Sequence, residues 1–298
     1  MMLPTAALTA ALPLRDALRS AARRFAEAGI PDPQVDAELL VAHLRGTSRG
    51  EVQAAALRGD VLEIPQAESF GRLVARRAAR EPLQHITGLA PFRGLELRVG
   101  PGVFVPRPET EMVAGLAIAA LREAGDAPVA VDLCTGSGAI ALAMATEVPA
   151  ARVSAVEKSV DAYLWAKENA ARTGAQNLTL VLGDAGEAAT LRDAAGTVDV
   201  VATNPPYVPD DAVPRDEEVR LHDPAMALYG GPDGLDLVRR ISTAALELAR
   251  PGGTIVIEHA EVQGGAIREL LAADGWLGAE THRDLTGRDR ATVAIRPA

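Results

Sequence analysis

The chain has 298 residues, room for two domains at roughly 150 residues each, and its 48% hydrophobic and 23% charged content exclude a disordered or fibrous protein. A formal net charge of -10 argues against a general nucleic-acid binder, because neutralising phosphates needs a basic surface. A single cysteine, Cys134, excludes an internal disulfide and a multi-cysteine zinc site, and the five histidines show no ligand spacing, so no metal is expected.

The opening MMLPTAALTAALPL is mildly apolar, but no positive residue precedes it and Pro4 and Pro13 break it, which argues against a signal peptide. No run approaches the roughly 18 apolar residues of a spanning helix. The expectation is a cytoplasmic protein with no membrane partner.

Residues 12 to 80 read as short helices. Leu14, Leu18, Ala21 and Phe25 fall at helical spacing, as do Phe70, Leu73, Val74 and Arg77, the last by its stem, with Pro31, Pro33, Gly46, Gly50, Gly59 and Pro65 as punctuation. RGLELRVGPGVFV alternates at Leu95, Leu97 and Val99, breaks at Gly100 to Gly102 and resumes at Val103 and Val105, the pattern of a hairpin. The expected division is a helical domain over 1–85, a β-hairpin linker over 86–108 and an α/β domain over 109–298.

From Glu109 helices and strands alternate. Strands are expected at Val129 to Cys134, Arg152 to Glu157, Leu178 to Leu182, Val198 to Thr203, Thr254 to Glu258, about Glu280 to Asp284, and Ala291 to Ile295. The helices between them predict a mostly parallel sheet covered on both faces, and the last two strands, joined near Gly287, predict an antiparallel edge hairpin.

VDLCTGSGAIALA, Val131 to Ala143, is a strand, a glycine turn and a helix start. Gly136 and Gly138 let the backbone approach a ligand, and the helix start offers free N–H groups. Gly136, Gly138 and Ala141 also satisfy the dinucleotide pattern G-x-G-x-x-A, so NAD has to be weighed. Asp132 before the loop would repel a pyrophosphate but favour a sulfonium or amino group; the plainer reading is a cap. Glu157 ends the next strand, where it is either an exposed carboxylate or the acceptor of two ribose hydroxyls. Asp184 ends the one after, as an acceptor from an adenine amine with Ala185 beside the ring, or as a turn residue.

VVATNPPYV, Val200 to Val208, is an apolar strand stopped by two prolines. Pro205 has its φ fixed and Pro206 pushes it towards extended backbone, so the turn is stiff and rich in acceptors, suited to a ligand carrying an NH2 group. All four sites, at Asp132 to Gly138, Glu157, Asp184 and Asn204, end successive strands, which is where open α/β sheets bind ligands.

With these motifs in view, the sequence resembles the class I S-adenosylmethionine methyltransferases that modify glutamine, and in particular the release-factor glutamine methyltransferases, the PrmC or HemK family. The resemblance rests on REPLQHITG, VPRPETE at Val105 to Glu111, VDLCTGSGAIALA, NPPYV, DPAMALYGGPDGLD and RDLTGRDR, and so spans nearly the whole chain. It implies a seven-stranded Rossmann-like methyltransferase sheet with an N-terminal helical bundle that holds the substrate protein. It also implies a monomer that uses S-adenosyl-L-methionine to methylate the amide nitrogen of the GGQ glutamine in class I peptide release factors. Thr135, Gly136, Ser137 and Gly138 would line the cofactor with Asp132, Glu157, Asp184, Ala185 and Asn204. Asn204, Pro205, Pro206 and Tyr207 would hold the glutamine, with Arg107 closing over it, and Asn204, Pro205 and Tyr207 would carry the catalysis. This chain has Cys134 where the family usually has glycine, Glu157 for aspartate, Ala185 for a bulkier residue and His85 for tyrosine. The rival substrates are a glutamine of a ribosomal protein and an exocyclic adenine amine; an NAD-dependent dehydrogenase and a non-catalytic adaptor are rivals of other classes.

Overall fold

A computed structural model describes residues 11–298; the start of the segment read above against a signal peptide lies outside them. The chain forms two compact units, one running to Gly88 and including Asp216–His222, the other made of Leu89–Arg215 and Asp223–Ala298.

The first unit opens with a short strand, β1 (Leu12–Pro13), antiparallel to β2 (Val61–Leu62), and its helices are α1 (Leu14–Glu27), α2 (Pro33–Arg45), α3 (Arg49–Arg58), α4 (Ile64–Ala78) and α5 (Leu83–Thr87). The local signals set the ends. Pro33 starts α2 and left-handed Gly46 ends it, while Ser48 and Glu51 form a reciprocal capping box on α3. Leu14, Leu18, Ala21 and Phe25 of α1 pack with Leu40, Phe70 and Val74 in one apolar core. Arg77 does more than lay its stem on that core: its buried guanidinium binds Asp36 at 2.7 Å and Glu218 at 2.8 Å.

In the second unit, β3 (Leu89–Phe92) and β4 (Leu95–Arg98) form a hairpin that turns at Arg93 and Gly94, not at Gly100 to Gly102. Val99, Val103 and Val105 are buried outside any strand and pack on Ala162, which explains the apolar alternation that reads as a second arm. There follow α6 (Thr110–Glu123), β5 (Val129–Leu133), α7 (Ala139–Glu147), β6 (Arg152–Glu157), α8 (Val160–Thr173), β7 (Leu178–Leu182) and β8 (Val198–Thr203). After α9 (Glu217–His222), which belongs to the first unit, come α10 (Ala225–Leu228), α11 (Asp236–Leu248), β9 (Ala249–Glu258), α12 (Gly264–Asp274), β10 (Leu277–Arg283) and β11 (Asp289–Ile295).

The seven strands run in the order β10-β11-β9-β8-β5-β6-β7. The five from β9 to β7 are parallel and β11 is antiparallel to both its neighbours, so the terminal hairpin forms one edge as expected. Two apolar clusters sandwich the sheet, one around Val113, Ile118, Leu142 and Met144, the other around Val131, Ile241, Ile255 and Leu271. Burial on both faces accounts for the continuous apolar strands. Among the described residues, no helix is long and apolar enough to cross a membrane.

Candidate active site

The C-terminal ends of β8, β5, β6 and β7 lie side by side, and each carries the polar residues the sequence singled out. At the end of β5, Asp132 is completely buried. Its Oδ2 accepts from the Thr135 hydroxyl at 2.5 Å and from the Ala141 N–H, in the first turn of α7, at 3.0 Å. The carboxylate therefore caps the helix, yet its Oδ1 is buried with no partner. Burial pushes this group up to about 7, and the nearby Glu157 charge adds to the shift.

The turn that follows is left-handed at Cys134 (φ 66°), Gly136 (φ 58°) and Gly138 (φ 87°). At Cys134 the β-carbon strains this backbone, where the family usually has glycine. The thiol is pushed up by burial and by the Glu157 and Asp132 charges, so it is no thiolate nucleophile. A β-carbon on Gly136 would meet nothing within 4 Å, so open space lies over this peptide. Ser137 is buried, and its carbonyl accepts from Asn169 Nδ2 at 2.9 Å.

Glu157, at the end of β6, is buried rather than an exposed strand end. Its two oxygens accept from the N–H groups of Gly136 at 2.8 Å and Ser159 at 2.7 Å, tying the glycine turn to the next strand. Each oxygen keeps a second lone pair for a hydroxyl donor. After β7, Asp184 behaves as a turn residue: it accepts from the Gly186 N–H at 2.8 Å and pairs with Lys158 at 3.1 Å and Arg240 at 3.2 Å. Ala185 is buried against the apolar cluster that contains Val131 and Val156. An orphaned carboxylate oxygen, a second carboxylate on the turn amide and open ground above a glycine fit a cofactor that carries positive charge and hydroxyls.

Beyond β8 the backbone turns at Asn204, Pro205, Pro206 and Tyr207. Asn204 is half-buried and donates from Nδ2 to the hydroxyl of Thr110, at the start of α6, at 3.3 Å. Pro205 is buried. The Tyr207 carbonyl accepts from Gln263 Nε2 at 2.9 Å. Burial raises the Tyr207 phenol, as does the charge of Glu258. The end of α10 and the start of the GGPDGLD loop clamp the far side: Val208 N–H donates to the Leu228 carbonyl at 2.8 Å and Gly230 N–H to the Val208 carbonyl at 2.9 Å. Gly234, at φ 76°, is required here, because a β-carbon would stand 2.2 Å from the Tyr207 carbonyl oxygen.

Arg107 is partly buried and ion-paired. It bonds Asp223 at 2.9 Å and lies over the Phe104 ring at 5.2 Å. Glu111 instead accepts from the Arg93 N–H in the β3–β4 turn at 2.8 Å. Glu258 and His259 are both buried but have separate partners. His259 contacts the Ala260 carbonyl through Nδ1 at 2.8 Å and Thr292 Oγ1 through Nε2 at 2.9 Å. Glu258 is pushed up to about 7 by burial, against the pull of the Thr110 hydroxyl and the Arg290 charge. Trp165 donates to the Pro101 carbonyl at 3.2 Å and packs over Gly100, a structural position. Sequence reasoning passed over Thr110, Gln263 and Arg290; Thr110 and Arg290 stand inside the quoted VPRPETE and RDLTGRDR segments. Among the described residues, no group of three or more His, Cys, Asp or Glu could hold a metal.

Two family descriptions match the chain: PrmC N-terminal domain over residues 16–88, and Conserved hypothetical protein 95 over residues 86–221. The chain is 49% identical to the release factor glutamine methyltransferase of Streptomyces coelicolor, covering 92% of this chain and 95% of that one. Against the enzyme of the same name from Deinococcus radiodurans, identity is 40% with 95% and 98% covered. Among solved structures, it is similar to the protein-(glutamine-N5) methyltransferase (release factor-specific) of Alicyclobacillus acidocaldarius, at 26% identity, covering 67% of this chain and 99% of that one, with a TM-score of 0.40. The mostly parallel seven-stranded sheet, the glycine turn after β5 and the carboxylate after β6 are those of a Rossmann-like methyltransferase. Within that class, the chain belongs to the release factor glutamine methyltransferase family, as its sequence relatives show.

Proposed function

We propose that the protein methylates the side-chain amide nitrogen of the GGQ glutamine of class I peptide release factors, with S-adenosyl-L-methionine as methyl donor, in the cytoplasm. The observation that carries this reading is the stiff, acceptor-rich Asn204 to Tyr207 corner, one strand from the glycine turn and the orphaned Asp132 oxygen in a chain of this family. S-Adenosylmethionine brings a methyl group already activated on a positively charged sulfur.

The protein's part is binding and alignment. The backbone of Thr135, Gly136, Ser137 and Gly138 forms the cradle, Asp132 supplies negative charge beneath it, and Glu157 offers its remaining lone pairs to ribose hydroxyls. Ala185 borders the adenine, and Asp184 takes part through its turn rather than through a free carboxylate. A carboxamide nitrogen is a poor nucleophile because its lone pair is delocalised into the carbonyl. Acceptors on its two N–H groups, the Asn204 Oδ1 and the Pro205 carbonyl, favour the positive charge that develops as it attacks. Tyr207 packs against the planar amide and keeps water out, and Pro206 holds the corner rigid. Arg107, fixed by Asp223, borders the substrate. Hydrogen bonding to two N–H groups of one nitrogen selects an NH2 group, which a primary amide and an exocyclic adenine amine both carry, and the acidic balance disfavours the nucleic acid.

The test is to incubate the protein with the cofactor and a class I release factor and to map the added methyl by peptide mass spectrometry. The expected product carries it on the GGQ glutamine. Methyl on another residue, or none on the release factor, would overturn the substrate assignment.

A further inference from the structure

Glu258 does no evident structural work. It is 2% exposed, and its Oε2 is buried without a partner. Leaving a buried carboxyl oxygen unpaired costs stability, and a glutamate kept as mere packing would be better replaced by an apolar residue. Its place in the sheet is specific: β8 and β9 run parallel with Thr203 opposite Ile257, so the next pair abreast is Asn204 and Glu258. Thr110, 4% exposed at the start of α6, lies at the same corner and takes the Asn204 Nδ2 hydrogen bond. The Thr110 and Tyr207 hydroxyls stand close enough to the Glu258 carboxyl to favour its charged form.

We propose that Glu258 is a positioning residue which, acting through the Thr110 hydroxyl, fixes the orientation of the Asn204 amide so that Oδ1 faces the substrate nitrogen. The inference rests on the function proposed above. The logic is that of a hydroxyl with one proton. When Glu258 is a carboxylate, Thr110 donates to it and can only accept from Asn204, which must then present Nδ2 to Thr110 and Oδ1 to the cleft. When Glu258 carries a proton and donates it to Thr110, the Thr110 hydroxyl is free to donate to Asn204 Oδ1, and the amide turns round. An Asn204 presenting its NH2 to a substrate NH2 opposes two donors, and the corner no longer binds its ligand.

The groups that face Glu258 are Thr110 and Glu109 of the α6 start, Tyr207 of the corner and Arg290 of β11. Arg290 favours the carboxylate; Glu109 and burial oppose it. Activity should therefore rise with pH across the range in which Glu258 ionises, so that the corner works only when the Asn204 amide is correctly set.

Two measurements on the full-length protein test this. The first is steady-state methyl transfer with separate equilibrium measurement of cofactor affinity. Glu258→Gln and Thr110→Val should each lower kcat by about tenfold or more with cofactor Kd changed less than about twofold, and the double variant should fall little further, as members of one relay do. Thr110→Ser, which keeps the hydroxyl, should keep most of the activity. A Glu258→Gln variant with the wild-type kcat and pH profile, or a double variant with multiplied losses, would overturn the proposal.

The second does not depend on methyl transfer. The chain has three asparagines, Asn169, Asn177 and Asn204, so selective 15N-asparagine labelling yields a simple side-chain amide spectrum, in which Asn204→Ala identifies the Asn204 pair. That pair should shift with pH in the wild type and become insensitive to pH in Glu258→Gln and in Thr110→Val. An Asn204 signal that ignores pH in the wild type, or follows it unchanged in Glu258→Gln, would overturn the relay even if the release factor proves not to be the substrate. A methylated release factor together with such a spectrum would leave the function standing and remove only Glu258's role.

Discussion

Asp132 carries the sharpest conflict between stability and use. Its carboxyl is fully buried, half satisfied by Thr135 and Ala141, and pushed up to about 7 by burial. Because the folded-state value lies above the unfolded 3.8, the folded chain holds a proton that the unfolded chain releases, and the group's contribution to stability is present below about pH 4 and lost as pH rises towards 7. Asp132→Asn keeps an oxygen for the two donors and removes the charge. Urea denaturation at pH 5 and pH 8 should show a smaller loss of stability with pH in the variant than in the wild type, while cofactor affinity at pH 8 falls about tenfold or more. At the corner, Asn204→Ala should lower kcat about 100-fold, the range typical of a lost transition-state acceptor, with cofactor Kd within about threefold. Equal losses in both quantities would count against the role given to Asn204.

In the proposed function the glycine turn and the corner bind through their backbone geometry, and glycine substitutions separate fold from function there. An alanine at position 136 meets open space and pays mainly for its left-handed φ, about 1–2 kcal/mol. Gly136→Ala should therefore fold, with a modestly lower Tm by calorimetry, and fail to bind the cofactor in titration. Gly234→Ala is different in kind: its β-carbon falls 2.2 Å from the Tyr207 carbonyl, so the corner must shift and transfer activity should drop together with Tm. Much of this was legible in the sequence because strand, glycine and proline signals are local. The bounds of β6, β7 and β8 follow from apolar runs alone, and NPPY marks its own turn. What was not legible is long-range. The hairpin turn was misplaced because buried Val103 and Val105 mimic strand alternation, and the bond from Asn204 to Thr110 joins residues 94 positions apart. Nor does spacing reveal that Glu258 and His259, adjacent in sequence, point to different partners.

Across the whole molecule, sequence order and spatial order part company at residues 216–222, which belong to the helical unit although they follow β8. Arg77 bonds Glu218 across 141 positions and Asp36 across 41, with its side chain 5% exposed. Removing it would strand two carboxylates with little solvent, so Arg77→Ala should cost about 3–5 kcal/mol in urea denaturation, well above an exposed ion pair. At the C-terminal ends of its central strands the second unit carries a glycine turn and two carboxylates beside a proline-stiffened corner, where the proposed chemistry would take place. The most direct test of that arrangement is a crystal structure of the protein with S-adenosylhomocysteine and a glutamine-containing GGQ peptide. The account predicts the glutamine NH2 within about 2.7–3.2 Å of both Asn204 Oδ1 and the Pro205 carbonyl oxygen, with its nitrogen facing the sulfur. A glutamine nitrogen held by other acceptors, with the corner turned away from the sulfur, would contradict it.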